Sequence, residues 1–248
     1  MPGLVRIGLA QTGLQDSLGG NVEHHLHFIE AARDHALDLL VFPELSLTGY
    51  TISPDEGQIL RWNDAYLLRL ETCCREQGLH AAVGLPVRIG ELLFIGQIFF
   101  TPAGNRFVYC KKHLYGAEKA TYAPGAFHNV LTVSGVQIGL AICADFDETA
   151  HARETASAGA ELYIASALIS TGGYDASCGQ LRERAVTQGF PVMLANWVGA
   201  VSGWQCAGGS ALWSQTGECV VQAPMDRECL VACQLQAGVV FGQSVYVA

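Results

Sequence analysis

The sequence predicts an α/β protein with mixed sheets, on three observations. Strand-like and helix-like segments alternate along the chain. Two pairs of apolar runs are joined by turn signals, so hairpins are interspersed among the strand–helix–strand units. Most strand-like runs are apolar at successive positions, so the sheets need cover on both faces. Half of the 248 residues are hydrophobic and 15% are charged, which excludes a disordered, collagenous or coiled-coil protein. No composition shift, repeat or linker marks a boundary, so residues 1–248 are read as one domain.

The elements follow in order. Met1–Gln11 reads as an opening strand with Val5–Ala10 at its apolar centre. Asn21 is the expected N-cap of a helix over Val22–Leu37, whose Leu26, Ile29, Ala32 and Ala36 share a face. Leu39–Phe42 is a buried strand, Leu60–Gln77 a second helix and Ala81–Leu85 the strand after it. Leu92–Thr101 and Arg106–Cys110 flank Pro102-Ala103-Gly104-Asn105, and Val130–Val133 and Val136–Ile142 flank Ser134-Gly135; both read as hairpins. Thr149–Gly159 and Leu181–Gln188 are helical, each followed by a strand, Leu162–Ala165 and Val192–Asn196. Ser210–Trp213, Cys219–Ala223 and Leu230–Gln234 read as late antiparallel strands, and Val239–Phe241 as a short core run.

Charge narrows the partners. Fourteen Lys and Arg against 23 Asp and Glu give a net charge of −9. Basic residues never run beyond Lys111-Lys112, so nucleic acid and acidic membrane surfaces are not expected partners. No stretch approaches the ~20 apolar residues of a membrane span, and the N-terminus lacks the layout of a signal peptide. The nine cysteines are an odd number without a CxxC pair. They are expected to be free thiols in a reducing cytoplasm, and neither a metal nor a cofactor is expected.

Three segments place a reactive side chain at or near a strand end. In Val41-Phe42-Pro43-Glu44, proline stops the strand and Glu44 follows; partial desolvation would raise its pKa and suit it to general-base work. In Tyr109-Cys110-Lys111-Lys112-His113, successive residues face opposite sides, so one lysine can meet an acid while the other is solvated. In Leu140-Ala141-Ile142-Cys143-Ala144-Asp145, an apolar strand ends at a thiol ahead of a helix. Nearby backbone N–H groups and the helix dipole there would favour thiolate and could hold an oxyanion. Each segment alone has a plainer reading: a loop-capping Glu, two edge-strand lysines, a buried Cys acting as a small hydrophobe.

Together, and in order, the segments resemble the nitrilase superfamily of carbon–nitrogen hydrolases over nearly the whole chain. FPELSLTGY at Phe42–Tyr50 is similar to the family's glutamate motif. Lys111 with His113-Leu114 and Tyr122-Ala123-Pro124-Gly125 resembles its lysine motif, and the spacing to the His-Leu pair selects Lys111 over Lys112. Gly139–Asp145 resembles its cysteine motif, and Gly159-Ala160-Glu161-Leu162, Arg184-Ala185, Ala195-Asn196 and Gly208-Gly209-Ser210 resemble later segments. The chain departs from the family at Thr149-Ala150, where Pro-Glu is usual, at Ile95, where the asparagine often found before the lysine falls, and at Ala144, where aromatics are common.

The resemblance implies a four-layer αββα sandwich, a homodimer and no cofactor. It also implies hydrolysis of a non-peptide C–N bond in a small amide. Cys143 would be the nucleophile and Glu44 the base. Lys111 and the Ala144 N–H would hold the oxyanion, and Glu118 would orient the lysine. Tyr122, Phe146, Ser170 and Trp197 fall where the family lines its pocket, as does the rest of the loop Ser170–Tyr174. His113 and Asp145 read as structural, while Arg182 and Arg184 read either as structural or as readers of a substrate carboxylate. Ala144-Asp145 departs from the Trp-Glu pair of strict nitrilases and is nearer the amidase-like branch. N-carbamoyl hydrolysis is the alternative activity, and a non-catalytic binding or regulatory protein on the same fold the alternative class. Lys111→Ala is expected nearly to silence turnover without unfolding the chain.

Overall fold

The computed structural model describes residues 4–126 and 129–245; the Met1–Gly3 part of the predicted first strand lies outside them. In chain order the first strands are β1 (Leu4–Gln11), β2 (Leu39–Val41), β3 (His80–Ile89), β4 (Leu92–Phe100) and β5 (Arg106–Cys110). Then come β6 (Val130–Val133), β7 (Val136–Ile142), β8 (Leu162–Ala167), β9 (Val192–Asn196) and β10 (Val198–Val201). The last are β11 (Trp204–Ala207), β12 (Ala211–Trp213), β13 (Cys219–Gln222), β14 (Cys229–Gln236) and β15 (Val239–Val245). The helices are α1 (Leu18–Asp34), α2 (Ala65–Gln77), α3 (Thr149–Ser157) and α4 (Tyr174–Gln188).

The strands form two large mixed sheets. One runs β15-β14-β1-β2-β3-β4-β5 and the other β13-β12-β9-β8-β7-β6. Parallel trios, β1-β2-β3 and β7-β8-β9, sit at their centres, with antiparallel pairs outside. The period of two along each strand builds the layers. On β1 and β2, Ile7, Leu9, Leu39 and Val41 share a buried cluster with Ile138, Leu140, Ile164 and Met193 of the second sheet. The intervening Ala10 and Leu40 pack with Val22, Phe28, Leu67 and Leu70 of α1 and α2. On the second sheet, Ala141, Tyr163 and Leu194 turn the other way and meet Ala152 of α3 and Leu181 of α4. Helix, sheet, sheet, helix is therefore the layer order, and strands apolar on both faces are its cause.

Several boundaries differ from expectation. Ser17, not Asn21, caps α1, accepting from Gly20 N at 3.0 Å. Asn21 lies inside the helix, where its carboxamide donates to Leu47 O at 3.0 Å and accepts from Gln15 N at 2.9 Å. It ties the helix to a loop, which competes with a capping role. Helix α2 starts only after Asp64, whose side chain accepts from Tyr66 N. Helix α4 starts at Tyr174 rather than Leu181, its first turns being rich in Asp, Ser and Gly that give no apolar period. The β10–β11 hairpin was unforeseen; Ser202 and Gly203 both have positive φ there (49° and 85°), a turn whose twist matches the paired strands. The run at Val239–Phe241 belongs to edge strand β15, where Val239 and Phe241 are exposed rather than core.

One glycine decides how close the loop after β2 can approach β3. A Cβ on Gly84 would stand 2.4 Å from Leu45 N and 2.7 Å from Pro43 O. Gly84→Ala is therefore expected to destabilise the fold by about 1–3 kcal/mol. Gly179→Ala, with open space around the added methyl, is expected to stabilise α4 by roughly 0.5–1 kcal/mol. Urea denaturation of the two variants checks both signs.

Candidate active site

Pro43 ends β2, and the chain turns over β3 with Leu45 at φ 50°. Leu47 N bonds Gly84 O at 2.9 Å, and Gly84 N returns to Ser46 Oγ at 3.1 Å. Behind the turn, buried His25 bonds Asn21 O through Nδ1 at 2.6 Å, so Nδ1 carries the proton and Nε2 accepts from Ser46 Oγ at 2.9 Å. Trp197 Nε1 donates to Glu44 O at 2.7 Å. The Glu44 backbone is thus fixed before its side chain does anything.

The carboxylate it carries is buried. Its Oε1 accepts from Lys111 Nζ at 2.6 Å, while Oε2 has no hydrogen-bond partner among the described residues. Burial raises the Glu44 pKa; Lys111 opposes that and Glu118 adds to it. Lys111, at the end of β5, is fully buried, whereas Lys112 is only half-buried, as alternation requires. The Lys111 ammonium also bonds both oxygens of Glu118 at 2.9 Å. Glu118 sits in a 3-10 turn, Gly116–Ala120, and takes further donors from Tyr50 OH at 3.0 Å and Tyr115 N at 2.8 Å. Burial works against the charge on Lys111, but Glu44, Cys143 and Glu118 outweigh it and hold the ammonium protonated.

Cys143 follows β7 in a 3-10 turn, Cys143–Asp145, with φ 45°. That left-handed conformation, at a cost of about 1–3 kcal/mol for a non-glycine residue, turns the thiol out of the strand line. The expectation of a thiolate is corrected here. Burial and the Glu44 carboxylate push the Cys143 thiol well above its ordinary range, more than Lys111 pulls it down. Helix α3 begins only at Thr149, and dipole effects fall off within about one turn.

Asp145 joins the cysteine turn to the lysine segment. Its Oδ2 accepts from Ile142 N at 2.9 Å and Tyr109 OH at 2.7 Å, and its Oδ1 from Lys112 N at 3.0 Å and His113 N at 2.8 Å. Burial opposes its charge, but the hydrogen bonds from His113, Ile142 N and Tyr109 outweigh it and lower the pKa. The Tyr109 hydroxyl, donating to Asp145, accepts from His151 Nε2 at 2.9 Å, and His151 Nδ1 accepts from Tyr163 OH at 2.8 Å.

Glu44, Glu118 and Cys143 line one cavity of about 170 Å³, below the roughly 300–1,000 Å³ of sites for drug-sized ligands. Ala144, Phe146 and Ser170 line it too. Tyr122 and Trp197 do not: Tyr122 OH bonds Thr51 O at 2.8 Å within the core, and Trp197 lies behind Glu44. Arg184 spends its donors on Phe146 O, Asp147 O and Glu183, and Arg182 on Gly217 O. Sequence reasoning passed over Tyr50, Tyr115, Asp147 and Trp204 of the lining. Tyr50 closes the quoted glutamate motif, and Trp204 sits on the unforeseen hairpin. It also missed Gln97, whose amide donates to Phe42 O at 3.1 Å and to Ser166 Oγ at 2.6 Å, bridging the sheets under the site. Among the described residues no group of three or more His, Cys, Asp or Glu side chains is arranged for a metal ion.

The two buried histidines make the scaffold acid-sensitive. Burial lowers His25 to about 3 and His151 to about 4, against an ordinary value of about 6.5. Below that value the unfolded chain takes up protons that the folded chain refuses. Stability is therefore full above about pH 6.5 and falls toward pH 4, by up to about 1.4 kcal/mol per pH unit for each histidine. Urea midpoints at pH 7 and pH 5 should show that loss, and His151→Gln should reduce it.

Comparison with known proteins agrees with this geometry. Residues 6–240 match the family model for carbon–nitrogen hydrolases. An (R)-stereoselective amidase of a Pseudomonas species is 29% identical over 198 residues, covering 77% of this chain and 70% of its own length. A glutamine-dependent NAD(+) synthetase of Xanthomonas campestris is 29% identical over 210 residues, and the chain spans only 37% of that protein. An amidase from Nesterenkonia sp. superposes with a TM-score of 0.86 at 26% identity, over 95% of this chain and 92% of its own. A cysteine-to-alanine mutant of the amidase from Nesterenkonia sp. AN1 is known in complex with butyramide, and another mutant of it shows covalent addition of the acetamide moiety of fluoroacetamide at the active site cysteine. The chain belongs to the carbon–nitrogen hydrolase family, within the nitrilase superfamily.

Proposed function

We propose that this chain hydrolyses the C–N bond of a small carboxamide through a thioester on Cys143. The observation that carries the reading is the Lys111 ammonium held 2.6 Å from Glu44 and 2.9 Å from Glu118, with Cys143 on the wall of the same small cavity. The amidases among the comparisons support it.

Amides are weak electrophiles with poor leaving groups, and a covalent route splits the reaction into two easier steps. The Cys143 thiol rests protonated beside a carboxylate with a free oxygen. Glu44 takes the thiol proton as sulfur attacks the carbonyl carbon, so thiolate forms only as the C–S bond forms. The tetrahedral oxyanion is held by Lys111 and the Ala144 N–H. The three ammonium hydrogens face Glu44 Oε1 and both Glu118 oxygens, so one of the two bonds to Glu118 is exchanged for the oxyanion while the other keeps the pair together. Glu44 then gives its proton to the departing nitrogen and the C–N bond breaks. In the second half, water attacks the thioester. Glu44 accepts the water proton and returns it to sulfur, releasing the carboxylic acid.

Ammonia release from butyramide and related short amides, with a transient acyl mass on the Cys143 peptide, is the expected outcome. Cys143→Ala should give neither, and silence of the unmodified protein across such amides with an unreactive thiol would count against hydrolysis. Lys111→Ala should lose about two to three orders of magnitude in kcat, the usual cost of an oxyanion donor. The geometry adds that it leaves two buried carboxylates facing each other, so a stability loss of about 3–5 kcal/mol is expected too. Because burial raises Glu44, the acid limb of kcat/KM should lie above the ordinary glutamate value of about 4.3, and Glu44→Gln should abolish turnover.

A further inference from the structure

The cavity has a one-sided charge. Its lining includes the carboxylates Glu44, Glu118 and Asp147 and, among the described residues, no lysine, arginine or histidine. Glu44 and Glu118 share the single Lys111 ammonium behind them, so this triad carries one net negative charge. Asp147 adds another. Its residue is exposed and its carboxylate has no hydrogen bond or ion pair among the described residues; partial burial raises its pKa, against the pull of Lys111 and Arg184. The neighbouring Arg184 guanidinium attracts the Asp147 carboxylate, but its hydrogen bonds go to two backbone carbonyls, Asp147's own among them, and to Glu183, so it offsets part of that charge without pairing with it.

Two further features point to what would sit there. Tyr115 and Trp204 line the same cavity and remain 60% and 44% exposed; ring faces attract cations electrostatically. Glu44 Oε2 is buried, with the Cys143 thiol beside its carboxylate, which fixes the reacting end of the cavity. A substrate bearing its own carboxylate would meet only like charge. An uncharged alkyl chain would leave Asp147 unused.

We propose that the substrate is a carboxamide carrying a protonated primary amine, and that Asp147 selects it, with Tyr115 and Trp204 presenting their rings beside the ammonium. This rests on the amide-hydrolysis reading above. The acyl chain runs from Cys143 toward the mouth of the cavity, where the ammonium replaces part of its water shell with the Asp147 carboxylate.

The test compares ω-amino amides, from 3-aminopropanamide to 6-aminohexanamide, with alkyl amides that carry a methyl group in place of the ammonium, butanamide to heptanamide. Binding is measured by calorimetry on Cys143→Ala, so chemistry cannot obscure it, and kcat/KM is measured on the unmodified protein. At one or more chain lengths the cationic member should bind more tightly, by about two- to fivefold, the range for a solvent-accessible ion pair. Asp147→Asn should collapse that ratio and Asp147→Lys should reverse it. Equal binding of both series, no binding of either, or a preference that survives Asp147→Asn would overturn the proposal. A cationic preference in binding, lost in Asp147→Asn, alongside an unmodified protein that turns over neither series, would support the selectivity and refute hydrolysis, so the two ideas fail separately.

Discussion

Everything at this site depends on one ammonium between two buried carboxylates. Two like charges about 4 Å apart repel by roughly 4 kcal/mol at an effective dielectric constant near 20, so Glu44 and Glu118 could not both stay ionised in a dry site without Lys111. With it, and with both carboxylates ionised, the three groups sum to one negative charge; burial raises the Glu44 pKa against the pull of Lys111. That remainder bears on the state of Cys143, because a thiolate there would add a second negative charge beside the first. Reactive cysteines are commonly activated by lowering the thiol pKa. The proposed route takes the other course: burial and the Glu44 charge keep the thiol protonated, and the carboxylate proposed to remove its proton is the one whose charge disfavours early ionisation.

The fold's task is to hold groups from two sheets in register. Glu44 and Lys111 follow strands of the first sheet and Cys143 follows a strand of the second. Among the polar links that cross between them, three lie close to the site. Trp197 N–H reaches the Glu44 carbonyl, the Gln97 amide reaches Ser166, and Asp145 collects backbone N–H groups from the lysine segment while capping the cysteine turn. Each link satisfies buried polar atoms that would otherwise cost about 1–3 kcal/mol apiece. A sliding motion of the sandwich would break all of them at once, so catalytic alignment and core integrity are enforced by the same bonds.

Much of this was legible in the sequence, for identifiable reasons. Apolar runs on both strand faces announce covered sheets, and alternation at Lys111-Lys112 separates the buried ammonium from the half-buried one. Strand ends mark Glu44 and Cys143. What stayed hidden depends on partners distant along the chain. Asn21 looks like a cap until the Leu47 carbonyl is placed beside it. Trp197 looks like a pocket aromatic until its N–H is seen spent on Glu44 O. The N-terminal turns of α4 lack an apolar period, and the Ser202-Gly203 hairpin that carries Trp204 is too short to show alternation. The sign of the Cys143 shift was misread because helix dipole and backbone donors can be inferred locally, whereas burial and a carboxylate 99 positions away in the chain cannot.

The direct measure of the central claim is the pH dependence of alkylation at Cys143, followed by mass spectrometry of its peptide in the unmodified chain and in Glu44→Gln. The account predicts a protonated, slowly alkylated thiol at neutral pH. In Glu44→Gln the negative charge is gone while Lys111 remains, so the apparent thiol pKa should fall. A thiolate already present at pH 7 in the unmodified chain, or a thiol pKa unchanged or raised in Glu44→Gln, would contradict it.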